Sequence, residues 1–456
     1  MKRSNEYPSV SLFSCAGIGD IGFKAAGAKF VAMNELEPDR AALARLNFPD
    51  AHHFVGDIHE LEHDIIDQTR AQGEVFLVTC TAPCQGMSSA GMGSLLRNQR
   101  DGKRSKWDPR NRLILPALRI IRELRPTWVV FENVVGMRNT LILDEQGEPR
   151  KILDIIQGAL SESYVGRAYP VEFADYGVPQ RRQRLITVYG LRELADERLR
   201  QGHELIPQAT HSRTETGELK GWIGVADAIQ DFPPLDAKDR GSASNGQVPF
   251  HRVPVLDSRK YWWVANTAVG RSAFDNQCVN PKCRHQGNPI HGASRGADGV
   301  NRARRDTPLY CTECGRLLPR PATHEDGVER IMRGYTSAYK RMDPHLPAPT
   351  ISRNLSFPCS DQKIHPYQNR VLSLAEAMRL QTIDRYEYKW GPIEYANGSG
   401  RLVGRKIAPD TLVRLAIAES IPPAFTEALF AHLLALSGAS KLRCESGTQA
   451  LLWAPV

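Results

Sequence analysis

The chain has 456 residues, 41% hydrophobic and 24% charged, with 59 Lys and Arg against 51 Asp and Glu for a formal net charge of +8. It holds no run of the roughly 18 apolar residues that a membrane-spanning helix needs, and MKRSNEYPSVSLFS lacks the continuous apolar core of a secretory leader, so a cytoplasmic protein without a membrane partner is expected. The length suits two or three domains, and the basic balance favours a polyanionic partner through phosphate neutralisation.

From residue 8 to 190, short β-rich runs alternate with helical patterns. VSLF precedes IGFKAAG, KFVAMNE precedes PDRAALARLNF, EVFLVTC leads into a polar loop, and LILPALRIIREL precedes TWVVFENV. Strands separated by helices of this length predict βαβ units: an α/β fold with a doubly wound, mostly parallel sheet and a ligand at the carboxyl ends of its strands. Residues 191–345 turn to Arg, Gly, Pro, Asn and His without clear periodicity, as in RHQGNPIHGASRGADGVNRARRD, which predicts a smaller, loop-rich domain. Helical spacing returns in VLSLAEAMRLQTI (371–383) and TLVRLAIAESIPPAFTEALFAHLLAL (411–436). The expected division is 1–190, 191–345 and a C-terminal segment, 346–456, that returns to complete the first domain.

VSLFSCAGIGDIGF reads as a strand, a glycine-rich turn and a helix, and Gly17, Gly19 and Gly22 satisfy G-x-G-x-x-G. Such glycines let the backbone approach a ligand, and an acid about 20 residues on can accept from ribose hydroxyls. Glu35 ends KFVAMNE and fits that position. A dinucleotide and S-adenosylmethionine are equally compatible with these features. Asp57, in VGDI, is placed either to accept from an adenine amino group or to cap a helix.

Three further groups narrow the chemistry. Cys84 follows Pro83 after a buried-looking strand; Glu132 and Asn133 end the apolar strand TWVVFENV; Gln180, Arg181, Arg182 and Arg184 open another strand, where alternate arginines are expected on one face. Carbon 5 of cytosine is a poor nucleophile until a nucleophile adds to carbon 6. A thiolate suits that addition, a carboxyl group can share a proton with N3, and a cation near O2 can balance the developing charge. Taken singly, each residue has a bland reading as a core thiol, a helix cap or a solvated basic edge; together, at successive strand ends, they point to catalysis.

In order, FSCAGIGDIGF, NELEPDRA, GDI, PCQGMSSAG, FENV, YGVPQRRQR and PAPTISRN resemble the motifs of the DNA (cytosine-5)-methyltransferases, over about residues 9–190 and 340–430. The resemblance implies a methyl transfer from S-adenosylmethionine to a flipped-out cytosine in double-stranded DNA. It makes Cys84 the nucleophile, Glu132 the partner of N3 and Arg184 the contact to O2, supported by Arg182. It assigns Phe13, Ser14, Gly17, Glu35, Leu36, Asp57, Ile58 and Pro83 to the cofactor, with Glu35 on the ribose and Leu36 against adenine. Gln85, Ser88 and Thr350 fall to DNA. The chain departs from the family at Cys15 and Ile18, where glycine is common, at Ser11, where an acid is usual, and at Ala418-Glu419, where a glycine-asparagine pair stands. It therefore resembles a divergent subgroup. The resemblance also implies that the 411–436 helix folds back beside the first strand.

The family places a target recognition domain between the arginine motif and PAPTISRN, and 191–345 occupies that interval here, with basic side chains and Tyr261, Trp262 and Trp263 available for readout. Four of the nine cysteines cluster in it as Cys278-x4-Cys283 and Cys311-x2-Cys314, a spacing that suits a structural zinc ion. A dehydrogenase would leave Cys84, Glu132 and Arg184 without roles. A transfer-RNA cytosine methyltransferase and a catalytically silent DNA-binding protein are the alternatives on the same fold. The resemblance further implies a bacterial enzyme, a monomer, acting in restriction-modification or another phage-defence system with cognate restriction or defence proteins as partners.

Overall fold

The computed structural model describes residues 6–83, 87, 108–296, 301–303, 306–325, 327–332, 337–396 and 402–438. They form two compact units. The first comprises residues 6–178, 182–220 and 382–438; the second comprises 179–181 and 221–381. Among the described residues no helix is long and apolar enough to cross a membrane.

The first unit is built on a seven-stranded sheet: β1 (Tyr7–Leu12), β2 (Ala28–Glu35), β3 (His52–Val55), β4 (Leu77–Cys80), β5 (Trp128–Asn133), β6 (Tyr164–Glu172) and β7 (Gln183–Leu191), in the order β3-β2-β1-β4-β5-β7-β6. β1 to β5 run parallel, as the alternating pattern predicts, whereas β7 pairs antiparallel with both β5 and β6. Every side chain of β4 is buried, and all of β5 except Glu132, because helices cover both faces of a parallel sheet. After β3 the chain crosses to the other side of β1. This reversal opens a crevice between the carboxyl ends of β1 and β4, the usual ligand position in such sheets.

Two apolar layers hold the helices. On one face α3 (Ile58–Arg70), α4 (Ile114–Leu124) and α5 (Ile152–Leu160) bury Ile65, Leu118, Ile121 and Ile156. On the other, α1 (Ile18–Ala25) packs with the C-terminal α10 (Pro423–Leu436) through Ile21, Phe23, Phe425 and Phe430. The run 411–436 is two helices and not one: α9 (Asp410–Glu419) ends at Ser420, and α10 restarts at Pro423 as a proline-led first turn. Phe430 of α10 stacks edge-on against Tyr7 of β1 and Phe76. The approach of α10 to α1 needs Gly22, since a Cβ there would stand 2.0 Å from the Pro423 carbonyl oxygen.

The second unit has little regular structure, and its core gathers Trp263, Phe274, Tyr339 and Val371. Irregular backbone leaves carbonyls without ladder partners, and burying them unpaired is costly. Arginines fill that need. Buried Arg341 donates to the carbonyls of Val264, Thr267, His365 and Gln368, and buried Arg320 to those of Asn276, Pro289 and Pro308. A short helix, α8 (Leu374–Leu380), begins with a capping box between Ser373 and Glu376.

Candidate active site

The turn after β1 is tightly wound. Phe13, Cys15 and Gly17 all have positive φ, and a Cβ on Gly17 would sit 2.7 Å from the Phe48 ring. Cys15, where the family commonly carries glycine, thus adopts a left-handed conformation that is strained for a side chain-bearing residue. Ile18 opens α1 and is buried, so glycine is dispensable there. At the end of β2, Glu35 is 8% exposed; its two carboxylate oxygens accept from the Cys15 N–H at 2.8 Å and the Glu37 N–H at 2.9 Å. Burial pushes its pKa up against the pull of those N–H groups. Leu36 beside it is 59% exposed, an apolar surface open to a flat ring. Asp57 caps α3, accepting from the His59 N–H at 2.9 Å; the Ile58 side chain is in the core, leaving its backbone N–H in the first helical turn.

A cleft of about 480 Å³, open solvent included, lies at the strand ends. Ser11, Ser14, Cys15, Ala16, Ile18, Gly19 and Asp20 line one side, Thr79, Thr81 and Glu132 another, and Glu419, Ser420 and Ile421 a third. Three of these side chains are acids, which suits a cofactor carrying a sulfonium and an ammonium charge. The sequence reading did not single out Asp20. It is buried, accepts from the Ser11 hydroxyl at 2.9 Å, and is pushed up to about 7 by burial. The acid absent at position 11 is therefore present at the same spot, supplied from α1; the signal was its place in GIGDIGF. The Phe13 carbonyl accepts from Thr81, tying this turn to the chain that leads to Pro83.

Glu132 is the penultimate residue of β5 and Arg184 the second of β7. The antiparallel register sets Ile186 opposite Glu132, so Arg184 lies past the pairing and reaches back, its Nε 2.8 Å from Glu132 Oε1 with both side chains largely buried. Arg182 does not share this contact: it is buried and donates to the Ala418 carbonyl at 2.8 Å, which fixes the residue before Glu419. Expected on one face of one strand, the two arginines find different partners because β7 begins only at Gln183.

Cys84, Gln85 and Ser88 lie outside the described residues, but both flanks of that segment are described. Asn133 Nδ2 donates to the Ala82 carbonyl at 3.1 Å, Pro83 is half-buried, and Met87 is in the core. A Cβ on Gly136 would meet the Met87 carbonyl oxygen at 2.3 Å. Gly136→Ala is thus expected to displace Met87 and lower kcat by about tenfold or more, since a misplacement of about 1 Å near reacting groups is costly. Cofactor affinity, measured by calorimetry, should stay unchanged; an unaltered kcat would refute the coupling.

In the second unit, Thr350 donates to the Arg181 carbonyl at 2.8 Å, and the Arg181 guanidinium lies 5.9 Å from the Trp222 ring centre. The Sγ atoms of Cys278, Cys283, Cys311 and Cys314 all lie within 4.8 Å of one another, with 3.6 Å between Cys278 and Cys314 and 3.9 Å between Cys283 and Cys311. Four thiolates around a tetrahedral ion with bonds of about 2.3 Å stand about 3.8 Å apart, so the donor set fits zinc. Turns shape it: Gly315, at φ 68°, donates to the Cys311 carbonyl, and Cys283 to that of Asn280.

A family model described as C-5 cytosine-specific DNA methylase matches residues 7–416. The chain is 26% identical over 431 residues to Type II methyltransferase M1.HgaI of Avibacterium volantium, covering 92% of this chain and 95% of that protein. It is 33% identical over 244 residues to Type II methyltransferase M.AquIA of Picosynechococcus sp., covering 49% and 88%. The fold is shared with a crystal structure of a DNA modification methyltransferase encoded within an E. coli prophage, at a TM-score of 0.51, 19% identity and coverage of 95% and 100%. With the glycine turn, Glu35, Glu132 and Arg184 gathered at the strand ends of this sheet and the family pattern running through nearly all of the chain, the protein belongs to the C-5 cytosine-specific DNA methylase family and is a DNA (cytosine-5)-methyltransferase.

Proposed function

We propose that the chain methylates carbon 5 of a flipped-out cytosine within a specific double-stranded DNA sequence, with Cys84 as nucleophile, and serves as the modification enzyme of a restriction-modification system. The observation that carries the mechanism is the Glu132–Arg184 pair at 2.8 Å, at the cleft and next to the strand end that leads into Pro83. The Cys84 thiolate forms a bond to carbon 6, and the electron pair of the 5,6 double bond becomes available at carbon 5. Glu132, sharing a proton with N3, and Arg184, near O2, balance the charge that the ring acquires. S-adenosylmethionine supplies an electrophilic methyl group. Water takes the carbon 5 proton, and the C–H electron pair re-forms the 5,6 double bond as the bond from carbon 6 to sulfur breaks and the Cys84 thiolate leaves.

Phe13, Ser14, Gly17, Glu35, Leu36, Asp57, Ile58 and Pro83 hold the cofactor in this reading; the exposed Leu36 face beside the buried Glu35 carboxylate supports an adenine-ribose site. Gln85, Ser88 and Thr350 meet DNA, and residues 191–345 read the sequence. A structural zinc ion on Cys278, Cys283, Cys311 and Cys314 holds the reading loops; among the described residues, Leu318 is the only other apolar side chain in that cluster, too little to fold it by burial. The Type II names of the relatives support a cognate nuclease as partner; in this reading the methyltransferase itself acts as a monomer.

Bisulfite sequencing of DNA from cells expressing the chain tests the function. Fully protected cytosines in one sequence context are expected. Methylation confined to transfer RNA, or none in either nucleic acid, would overturn the reading in favour of an RNA enzyme or a silent binder.

A further inference from the structure

One charged pair, Arg40 with Glu419 of the cleft wall, has no part in these steps. Glu419, the last residue of α9, lines the cleft opposite the Ser14–Gly19 turn. Its Oε2 lies 2.9 Å from Nη1 of Arg40, and the two side chains are only 27% and 23% exposed. Arg40 rises from the first turn of α2 (Pro38–Asn47), the helix that starts just after Glu35 and Leu36. Burial acts against its charge, and the neighbouring Cys15, Glu419, Glu35 and Glu37 outweigh that, raising its pKa above the ordinary value. An acid and a base thus stand side by side, partly desolvated, within electrostatic reach of both Glu35 and Cys15 of the glycine turn. As a fold-stabilising contact the pair has little to offer, because ion pairs that keep some solvent are weak.

Its chemistry matches one kind of ligand. A free α-amino acid group carries a carboxylate and an ammonium on one carbon. A guanidinium takes the first through two parallel hydrogen bonds, and a carboxylate takes the second as a point charge. We propose that Arg40 and Glu419 form the subsite for the amino-acid end of S-adenosylmethionine, Arg40 binding its α-carboxylate and Glu419 its α-ammonium. This rests on the cofactor reading above and extends it from the adenosine end to the other end of the molecule. On binding, the ion pair opens and each partner exchanges its neighbour for the complementary ligand group, so no charge is left unpaired in the cleft. Arg182, by holding the Ala418 carbonyl, fixes the end of α9 from which Glu419 projects.

Calorimetry on the full chain separates the two ends of the ligand. S-adenosylhomocysteine carries the amino-acid end; 5′-methylthioadenosine has the adenosine and thioether without it. Arg40→Ala and Glu419→Gln should each weaken S-adenosylhomocysteine about tenfold to a hundredfold, the range of one charge-assisted hydrogen bond, and leave 5′-methylthioadenosine within twofold of wild type. Decarboxylated S-adenosylhomocysteine should be insensitive to Arg40→Ala yet still sensitive to Glu419→Gln. Equal losses for both full-length and truncated ligands, or none for either, would overturn the subsite while leaving the adenosine site standing. Failure of the wild type to bind either ligand would instead overturn the cofactor reading. Unchanged melting temperatures identify variants that fold, and Arg40→Lys, which keeps the charge but loses the fork, should recover only part of the affinity.

Discussion

Cys84→Ala is expected to reduce methyl transfer by a factor on the order of 10,000 or more, while binding of S-adenosylhomocysteine stays at the wild-type level. The size of the loss follows from the substrate: without an addition at carbon 6, carbon 5 has no electron pair to offer, and in the proposed mechanism Glu132 and Arg184 have no charge to stabilise. Neighbouring thiols do not substitute. Burial pushes both Cys15 and Cys80 up to about 12, so each is a neutral thiol at physiological pH. A second readout isolates the covalent step. DNA with 5-fluorocytosine at the target position should trap a denaturant-stable adduct with the wild type, because fluorine cannot leave as the proton does, and none with Cys84→Ala. An adduct that persists in the variant would remove Cys84 from the mechanism.

Loss of the metal should have the next largest effect. Purified protein is expected to contain one zinc ion per chain, and Cys311→Ser is expected to unfold the second unit and abolish specific DNA binding. Structural zinc contributes about 10–16 kcal/mol in small domains, as much as or more than the roughly 5–15 kcal/mol by which a whole domain is stable. Here the cysteine loops are tied onward into the core. Asn288 accepts from the Thr312 N–H beside Cys311, and Asn276, two residues before Cys278, donates to carbonyls of Trp263 and Pro319. Protein free of zinc with an unaltered unfolding curve would defeat the assignment. Retained binding of S-adenosylhomocysteine by Cys311→Ser would confine the damage to the second unit.

The parallel part of the fold was legible because strands buried on both faces read as unbroken apolar runs, as in LVTC and WVVF. Their ends were legible for the same reason: Glu35 and Glu132 stand out as the first acids after such runs. The direction of β7 was hidden, since a strand's sequence carries no mark of which way it runs. Asp20 and the Arg40–Glu419 pair escaped because they depend on partners brought in by tertiary folding; no spacing links Arg40 in α2 to the end of α9. The joint between α9 and α10 was visible as Pro422-Pro423, but the helical periodicity on both sides concealed it. The second unit resisted reading because it is held by arginines donating to carbonyls and by cysteines converging on one point. Neither arrangement has a period.

The contact of α10 with α1 carries a consequence for how the enzyme is made. Thr426 donates to the Gly19 carbonyl across a sequence separation of 407 residues, and Tyr388 donates to that of Ala16 across 372. The glycine turn is therefore completed by segments synthesised 372 to 407 residues after it. A nascent or prematurely terminated chain can assemble much of the sheet but not this wall of the cleft. A chain that stops before α10 is therefore expected to leave DNA unmethylated, which expression of a chain truncated at residue 409 followed by bisulfite sequencing would check.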